Sequence, residues 1–297
     1  MRVFVTGATG FVGSAIVQEL INAGHQVVGL ARSEQSAQNL LTAGAEVHLG
    51  NLEDLESLKS AASDSDAVIH AGFIHDFSRF PEACETDRKV IETMGSVLAG
   101  TNRPFIITSA LGIIRRDRPV TEDDMPAPGP IPRIATEQAA DAVAATGVRV
   151  SVVRLPPSVH GNGDHGFIPM LINIAREKNM AVYAGAGQNT WPAVHRLDAA
   201  KLYLLALDKN AAPGTRYHAA AEEGIPFREI TELIGRRLNV RVVSKSPEEA
   251  ARHFTWFAHF AAMDIMASTK KTKAMLAWQP HEPGLLADLD HQQYFSN

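Results

Sequence analysis

The sequence predicts an α/β fold, a doubly wound parallel sheet with a smaller mixed α/β lobe on its C-terminal side, from three observations. The chain opens on a β-rich run, Arg2-Val3-Phe4-Val5, that leads into glycines at Gly7, Gly10 and Gly13 and then into a segment of helical period. Short apolar runs and amphipathic segments alternate from there to Leu155. Beyond Leu155 the alternation stops, and shorter, aromatic-rich segments follow.

Taken in order, the first run is a buried strand and Phe11 to Leu20 a helix. The glycines between them suit a dinucleotide. Gly7 permits the tight turn, Gly10 lets a pyrophosphate approach backbone N–H groups at the positive end of the helix, and Gly13 lets that helix pack on the strand. Thr9, Phe11 and Val12 belong to the same cofactor-holding turn. The second strand, His25 to Leu30, ends at Ala31-Arg32-Ser33. An acidic residue there would hold an NAD ribose, whereas Arg32 can grip the 2′-phosphate of NADP, with Ser33 adding a hydroxyl. NADP(H) is therefore expected over NAD(H); the plainer alternative is a solvated Arg32 and a Ser33 that only caps the next helix.

That helix runs to Ala43 and stops at Gly44, and Glu46 to Leu49 is a third strand. Asn51 and Leu52 then offer an amide and an apolar edge to an adenine, or else a cap and a core leucine. Ala67 to His70 is the fourth strand, and its small exit residues Ala71 and Gly72, with Phe73, let a ribose and nicotinamide lie close to the backbone. Phe73, His75 and Phe77 recur at period two and are candidate walls of a substrate pocket. A helix is expected over Asp76 to Ala99, and a fifth strand over Phe105 to Ala110 that places Thr108 and Ser109 at the cofactor crevice. From Arg115 to Arg133 five prolines rule out helix or central strand, and so long a loop is expected to cover a site. Ile134 to Ala145 is helical and Val148 to Leu155 the sixth strand, which completes a Rossmann-type order of strands and helices.

The later segments read as a helix after Phe167, an extended piece Trp191 to Asp198 with a helix to Leu207, and a late strand Arg216 to Ala219 returning to the sheet. An amphipathic helix Phe227 to Leu238, a strand Val240 to Val243 and a capping box at Ser246 follow. Phe254, Trp256, Phe257 and Phe260 form either an apolar substrate wall or a satellite core. The expected division is a cofactor domain over 1–155, rejoined by 195–220, and a mainly substrate-binding lobe over 156–297. At 297 residues, with 45% hydrophobic and 21% charged residues, the chain has ample material for a core. A net charge of −5 argues against a nucleic-acid partner, and Cys84 as sole cysteine suits a reducing compartment. With no leader-like start and no apolar stretch of membrane length, a cytoplasmic protein without a membrane or metal partner is expected, acting as a monomer or homodimer.

The sequence resembles the extended short-chain dehydrogenases/reductases. Thr6-Gly7-Ala8-Thr9-Gly10-Phe11-Val12-Gly13 matches their T-G-x-x-G-x-x-G fingerprint, His70-Ala71-Gly72 their fourth-strand exit and Thr108-Ser109-Ala110 their serine-bearing strand end. Arg154-Leu155-Pro156-Pro157-Ser158-Val159-His160-Gly161 resembles their R-P-x-x-V-Y-G piece, which implies that Pro156, Pro157 and Val159 lie beside the cofactor. His195-Arg196-Leu197-Asp198 and Leu276-Ala277-Trp278-Gln279-Pro280 complete the likeness. The departure is chemical. The family's Tyr-x-x-x-Lys is missing, since no tyrosine precedes Tyr183 and no lysine lies between Lys89 and Lys178; spacing to Glu137 puts Gly129 and Arg133 at the two positions. The likeness is therefore to the atypical subgroup without that pair.

Hydride addition to a carbonyl develops negative charge on oxygen, which needs a proton donor or a cation within hydrogen-bond reach. Ser109 is the expected holder of that oxygen, and His75, Arg133, His160 or a relayed water the expected partner. The favoured function is an NADP(H)-dependent reductase of a small-molecule aldehyde or ketone. A catalytically silent NADP-binding sensor or scaffold is the alternative, and an epimerase or dehydratase a third.

Overall fold

Val3, Phe4 and Val5 are fully buried, as a strand covered by helices on both faces requires. The computed structural model describes residues 1–296. Its first part alternates β1 (Arg2–Thr6), α1 (Phe11–Asn22), β2 (Gln26–Ala31), α2 (Glu34–Ala43), β3 (Glu46–Leu49), α3 (Leu55–Ser63), β4 (Ala67–His70), α4 (Phe80–Leu98), β5 (Phe105–Ala110), α5 (Ile134–Ala145) and β6 (Val150–Leu155). It continues with β7 (Ser158–His160), α6 (Phe167–Glu177), β8 (Met180–Ala184), β9 (Thr190–His195), α7 (Arg196–Asp208), β10 (Thr215–His218), β11 (Glu222–Pro226), α8 (Phe227–Leu238), β12 (Arg241–Lys245) and α9 (Pro247–Phe254).

Seven strands form one sheet in the order β10-β6-β5-β4-β1-β2-β3, and each neighbouring pair is parallel. Strand order reverses between β1 and β4, so the carboxyl ends of those two strands open a crevice. One apolar cluster, with Ile16, Leu20, Leu202 and Tyr203, packs α1 and α7 on one face. Another, with Leu58, Val90, Met94 and Val143, packs α3, α4 and α5 on the other. The late strand β10 returns to the sheet edge beside β6, as the sequence predicts.

Two smaller sheets stand apart: the mixed β11-β9-β7, and β12 beside β8. Their cores contain Trp191, Phe227, Phe254 and Phe257, all buried. The helix expected from Asp76 begins only at Phe80, because Asp76 caps a separate short turn, Phe77–Arg79, and Pro81 then starts the longer helix. The sixth strand begins at Val150 and not Val148, since Gly147 takes a left-handed turn with φ of 83°. The strand expected at Val240 begins at Arg241, after Asn239 ends α8 in the left-handed conformation. Strands β7, β8 and β11 were not among the predicted elements; β7 has only three residues, and β11 contains Gly224 and ends on Pro226.

Candidate active site

The crevice is shaped by close backbone approach. Gly7 has φ of 66°, and a Cβ on it would stand 2.6 Å from the Gly72 nitrogen; a Cβ on Gly13 would overlap the Gly7 carbonyl oxygen at 1.9 Å. Only glycine fits either place. Among the described residues no side chain caps α1 and no acid lies in its first turn, so the N–H groups of Phe11, Val12 and Gly13 form an open anion cradle. Thr9 and Gly10 sit exposed on its lip. These residues fit the pyrophosphate of a dinucleotide.

Around that cradle the other candidates take distinct places. Arg32 is exposed at the end of β2 with no ion pair among the described residues. Ser33 caps α2, accepting from the Ser36 nitrogen at 3.2 Å. The Asn51 side chain folds back to accept from Glu53 and Asp54 nitrogens at 2.7 and 3.2 Å, leaving only its NH₂ group to face outward. Leu52 Cδ1 lies 3.4 Å from where a Gly72 Cβ would stand, which lines the crevice beside Ala71 and Gly72. Pro156 is buried, Pro157 and Val159 are half-buried, and Val159 packs on the main core. Sequence reasoning passed over Arg196, whose guanidinium lies 4.9 Å from the Phe11 ring and 3.4 Å from the Ser14 hydroxyl, so it brings a cation to the first turn of α1.

A buried polar chain runs from the glycine turn to Arg133. The Gly72 N–H donates to Thr6 Oγ1 at 3.2 Å, and Thr6 Oγ1 lies 2.6 Å from His70 Nδ1. His70 Nε2 lies 3.1 Å from Asp87, so the partners assign Nε2–H as donor to the carboxylate and Nδ1 as acceptor from Thr6. Asp87 also accepts from Arg133 at 2.7 Å and from Thr136 at 2.5 Å. Burial pushes the Asp87 carboxyl upward, but Arg133, followed by His70 and Thr136, more than offsets this and holds it below the usual carboxylate range.

Arg133 sits where α5 begins. It donates to Asp87 and Thr136, each at 2.7 Å, and to the Thr108 carbonyl at 3.2 Å, and its guanidinium lies 3.9 Å over the Phe73 ring. Three of the five guanidinium N–H groups are thus spent, leaving Nε–H and one Nη2–H. Thr108 Oγ1 donates to the His70 carbonyl at 2.9 Å and lies 2.6 Å from the hydroxyl of Tyr203. That tyrosine is fully buried and burial drives its hydroxyl pKa upward, so it anchors β5 on α7 and does not replace the missing family tyrosine.

Ser109 lies on the opposite face of β5 from Thr108, 2% exposed; its hydroxyl makes no hydrogen bond of normal geometry among the described residues, but it lies close enough to Glu137 to help hold that carboxyl down. Its neighbourhood is a buried ion network. Arg154 grips Glu137 with two bonds of 2.9 and 3.0 Å, and Arg216 reaches the same carboxylate at 3.1 Å. Burial raises the Glu137 carboxyl, yet Arg154 and then Arg216 bring it below its ordinary value. His75 lies exposed at the rim, 5.1 Å edge-on from Phe73, and packing around the ring followed by the Arg133 charge lowers its pKa. His160 is elsewhere: buried on β7, with Nδ1 at 2.9 Å from Asp288, its ring 5.4 Å from His195, and no hydrogen bond to Ser109 or Arg133 among the described residues.

Comparison with known proteins agrees with this geometry. A model of NAD(P)H-binding proteins matches residues 7–168, and one of the NAD dependent epimerase/dehydratase family matches residues 128–220. An uncharacterized protein of Schizosaccharomyces pombe is 49% identical over 99% of this chain and 100% of its own length. The 4-hydroxy-2-methyl-3-oxo-4-farnesyl-3,4-dihydroquinoline-1-oxide ketoreductase of Stigmatella aurantiaca is 28% identical, covering 85% of this chain and 78% of that one. The crystal structure of MoeE5 in complex with UDP-glucose and NAD shares the fold, with a TM-score of 0.75 at 22% identity, over 99% of this chain and 97% of that chain.

Proposed function

This chain belongs to the NAD(P)H-binding epimerase/dehydratase proteins of the extended short-chain dehydrogenase/reductase type, and on that premise we propose that it is an NADP(H)-dependent reductase of an aldehyde or ketone. The observation that carries the reading is Arg133. By its spacing to Glu137 it takes the place of the family lysine, and it is fixed by Asp87 and the Thr108 carbonyl and keeps unspent N–H donors. The ketoreductase relative supports the reaction class.

The glycine cradle and the first turn of α1 hold the pyrophosphate, Arg196 adds a cation beside that turn, and Arg32 takes the 2′-phosphate. Leu52, Ala71, Gly72, Phe73, Pro156, Pro157 and Val159 flank the remainder of the cofactor. Residues 1–155, with 195–220, serve this task, and 156–297 mainly shape the substrate side. The reduced nicotinamide, when bound, supplies the hydride to the carbonyl carbon. Ser109 donates its hydroxyl to the carbonyl oxygen and orients it. The remaining N–H groups of Arg133 face the charge that grows on that oxygen, a role in which a single positioned donor contributes about 10²–10³ in rate. A guanidinium does not release a proton near neutral pH. The proton therefore comes from solvent through the exposed His75 ring, which can take a proton on one nitrogen and give one from the other. His160, held by Asp288, is the weaker candidate.

The test is a scan of aldehydes and ketones with NADPH, followed at the nicotinamide absorbance. Turnover that falls in Arg133→Ala, with NADPH affinity retained, is the expected result. No turnover with any carbonyl compound would refute the reading.

A further inference from the structure

Two groups of touching aromatic rings, joined through the backbone between His165 and Phe167, run from one lip of the cofactor crevice to the other. Phe11, on the first turn of α1, meets His165 edge-on at 5.7 Å. Two residues on, Phe167 starts α6 and lies 4.7 Å from Phe260, which in turn meets Phe77 at 5.6 Å. Phe77 stacks on Phe80 at 5.8 Å, and Phe80 meets Phe73, next to Gly72, at 6.0 Å. Trp256 joins the chain through Phe77 at 5.6 Å and is 56% exposed, an unusual cost for a tryptophan with no polar task. Both ends of this arch, Phe11 beside the glycine turn and Phe73 after β4, are cofactor-crevice residues.

The charges around the arch are few and mostly spent. Arg133 is held by Asp87 and Arg79 by Glu82. Two guanidinium groups meet the arch without a carboxylate among the described residues: Arg196, over the Phe11 ring at 4.9 Å, and Arg115, whose Nη2 touches His259 Nε2 at 3.3 Å where His259 lies edge-on to Phe260 at 5.7 Å. Arg196 stands beside the turn that takes the cofactor's own pyrophosphate, so a single guanidinium, Arg115, is left for an anionic group of a substrate.

We propose that the arch binds a carbonyl compound built on an apolar, ring or alkyl skeleton, and not a sugar nucleotide. The proposal rests on the carbonyl-reductase reading above, and binding and turnover separate the two. The NADPH-loaded protein is titrated, by tryptophan fluorescence and by competition, with methyl ketones lengthened one methylene at a time and with UDP-glucose. Affinity is expected to rise about fourfold per methylene over the first members, from burial of about 0.8 kcal/mol per CH₂, while UDP-glucose competes with none of them. Trp256→Ala, at a site 56% exposed, is expected to flatten that rise with NADPH affinity unchanged. Affinity independent of chain length, UDP-glucose binding tighter than the ketones, or an unaltered rise in Trp256→Ala would overturn the proposal. Length-dependent binding without reduction leaves the arch standing and removes the reductase reading; reduction with no length dependence does the reverse.

Discussion

Replacing Asp87 by Asn keeps the shape of the residue and removes the charge at the centre of the buried chain. Asp87 is 3% exposed and receives Arg133, Thr136 and His70. Its amide would keep one acceptor oxygen but turn an NH₂ group toward at least one of these donors. Breaking a buried pair from one side costs about 3–5 kcal/mol, and the partial exposure of Arg133, 11% at the side chain, lets water recover some of it. A net loss of about 3 kcal/mol corresponds to a fall in melting temperature of roughly 5–10 °C for a chain of this size. The sign with pH follows from the lowered Asp87 pKa: its stabilisation is complete above the unfolded carboxylate value near 4 and is lost as pH falls through the still lower folded value. Thermal melts of the two proteins should therefore differ most at neutral pH and converge in strong acid. The same variant should lose turnover more than NADPH affinity, because Arg133 loses its anchor while the glycine cradle does not. A melting temperature within a degree or so of the parent, with unchanged kcat, would refute the view that Asp87 fixes Arg133.

Other outcomes follow from the same geometry. Ser109→Ala should lower kcat by about 10²–10³ with NADPH affinity unchanged, since its hydroxyl makes no other hydrogen bond of normal geometry among the described residues; equal kinetics would remove it from the site. Gly13→Ala drives a methyl into the Gly7 carbonyl, so NADPH binding by titration should be lost and the melting temperature should fall by the equivalent of about 1–3 kcal/mol. Two buried groups pull pH stability in opposite directions. Burial, then the Arg154 charge, holds His218 at about 4, so its contribution is complete above 6.5 and fades as pH falls toward 4. Burial raises Asp164 to about 6, so its contribution is complete below 3.8 and is lost as pH rises through 6. Asp164→Asn keeps an acceptor for the Gly166 N–H and should raise the melting temperature near pH 8 but not near pH 4, and an equal change at both would contradict the burial argument.

The seven-stranded sheet was legible because each buried strand reads as an apolar run and Gly7, Gly10 and Gly13 mark where the chain must turn closely. Arg133 was singled out by its spacing to Glu137, and the structure puts it just before α5, beside the Thr108 carbonyl. Its anchor was not. Asp87 lies in a helix sequence rich in charges, where an acid reads as one more solvated residue, and only the packing of α4 on α5 turns it inward. Arg196 and Tyr203 were missed for the same reason: their partners, Ser14 and Thr108, lie far away in sequence, and no local period reports such a contact. The arch of rings was half visible, since Phe73 and Phe77 at period two suggested one wall, but Phe77 leaves that wall for a short turn and meets Trp256 and Phe260 instead.

The central claim is that the amino-terminal turn grips a phosphorylated dinucleotide with Arg32 reading the extra phosphate. Equilibrium titration of the protein and of Arg32→Ala with NADPH and NADH addresses it directly. The account predicts NADPH at least about tenfold tighter than NADH in the parent, a preference worth about 1.4 kcal/mol, and its disappearance in the variant with NADH affinity unmoved. Binding of neither coenzyme, or a preference for NADH that the variant leaves intact, would contradict it.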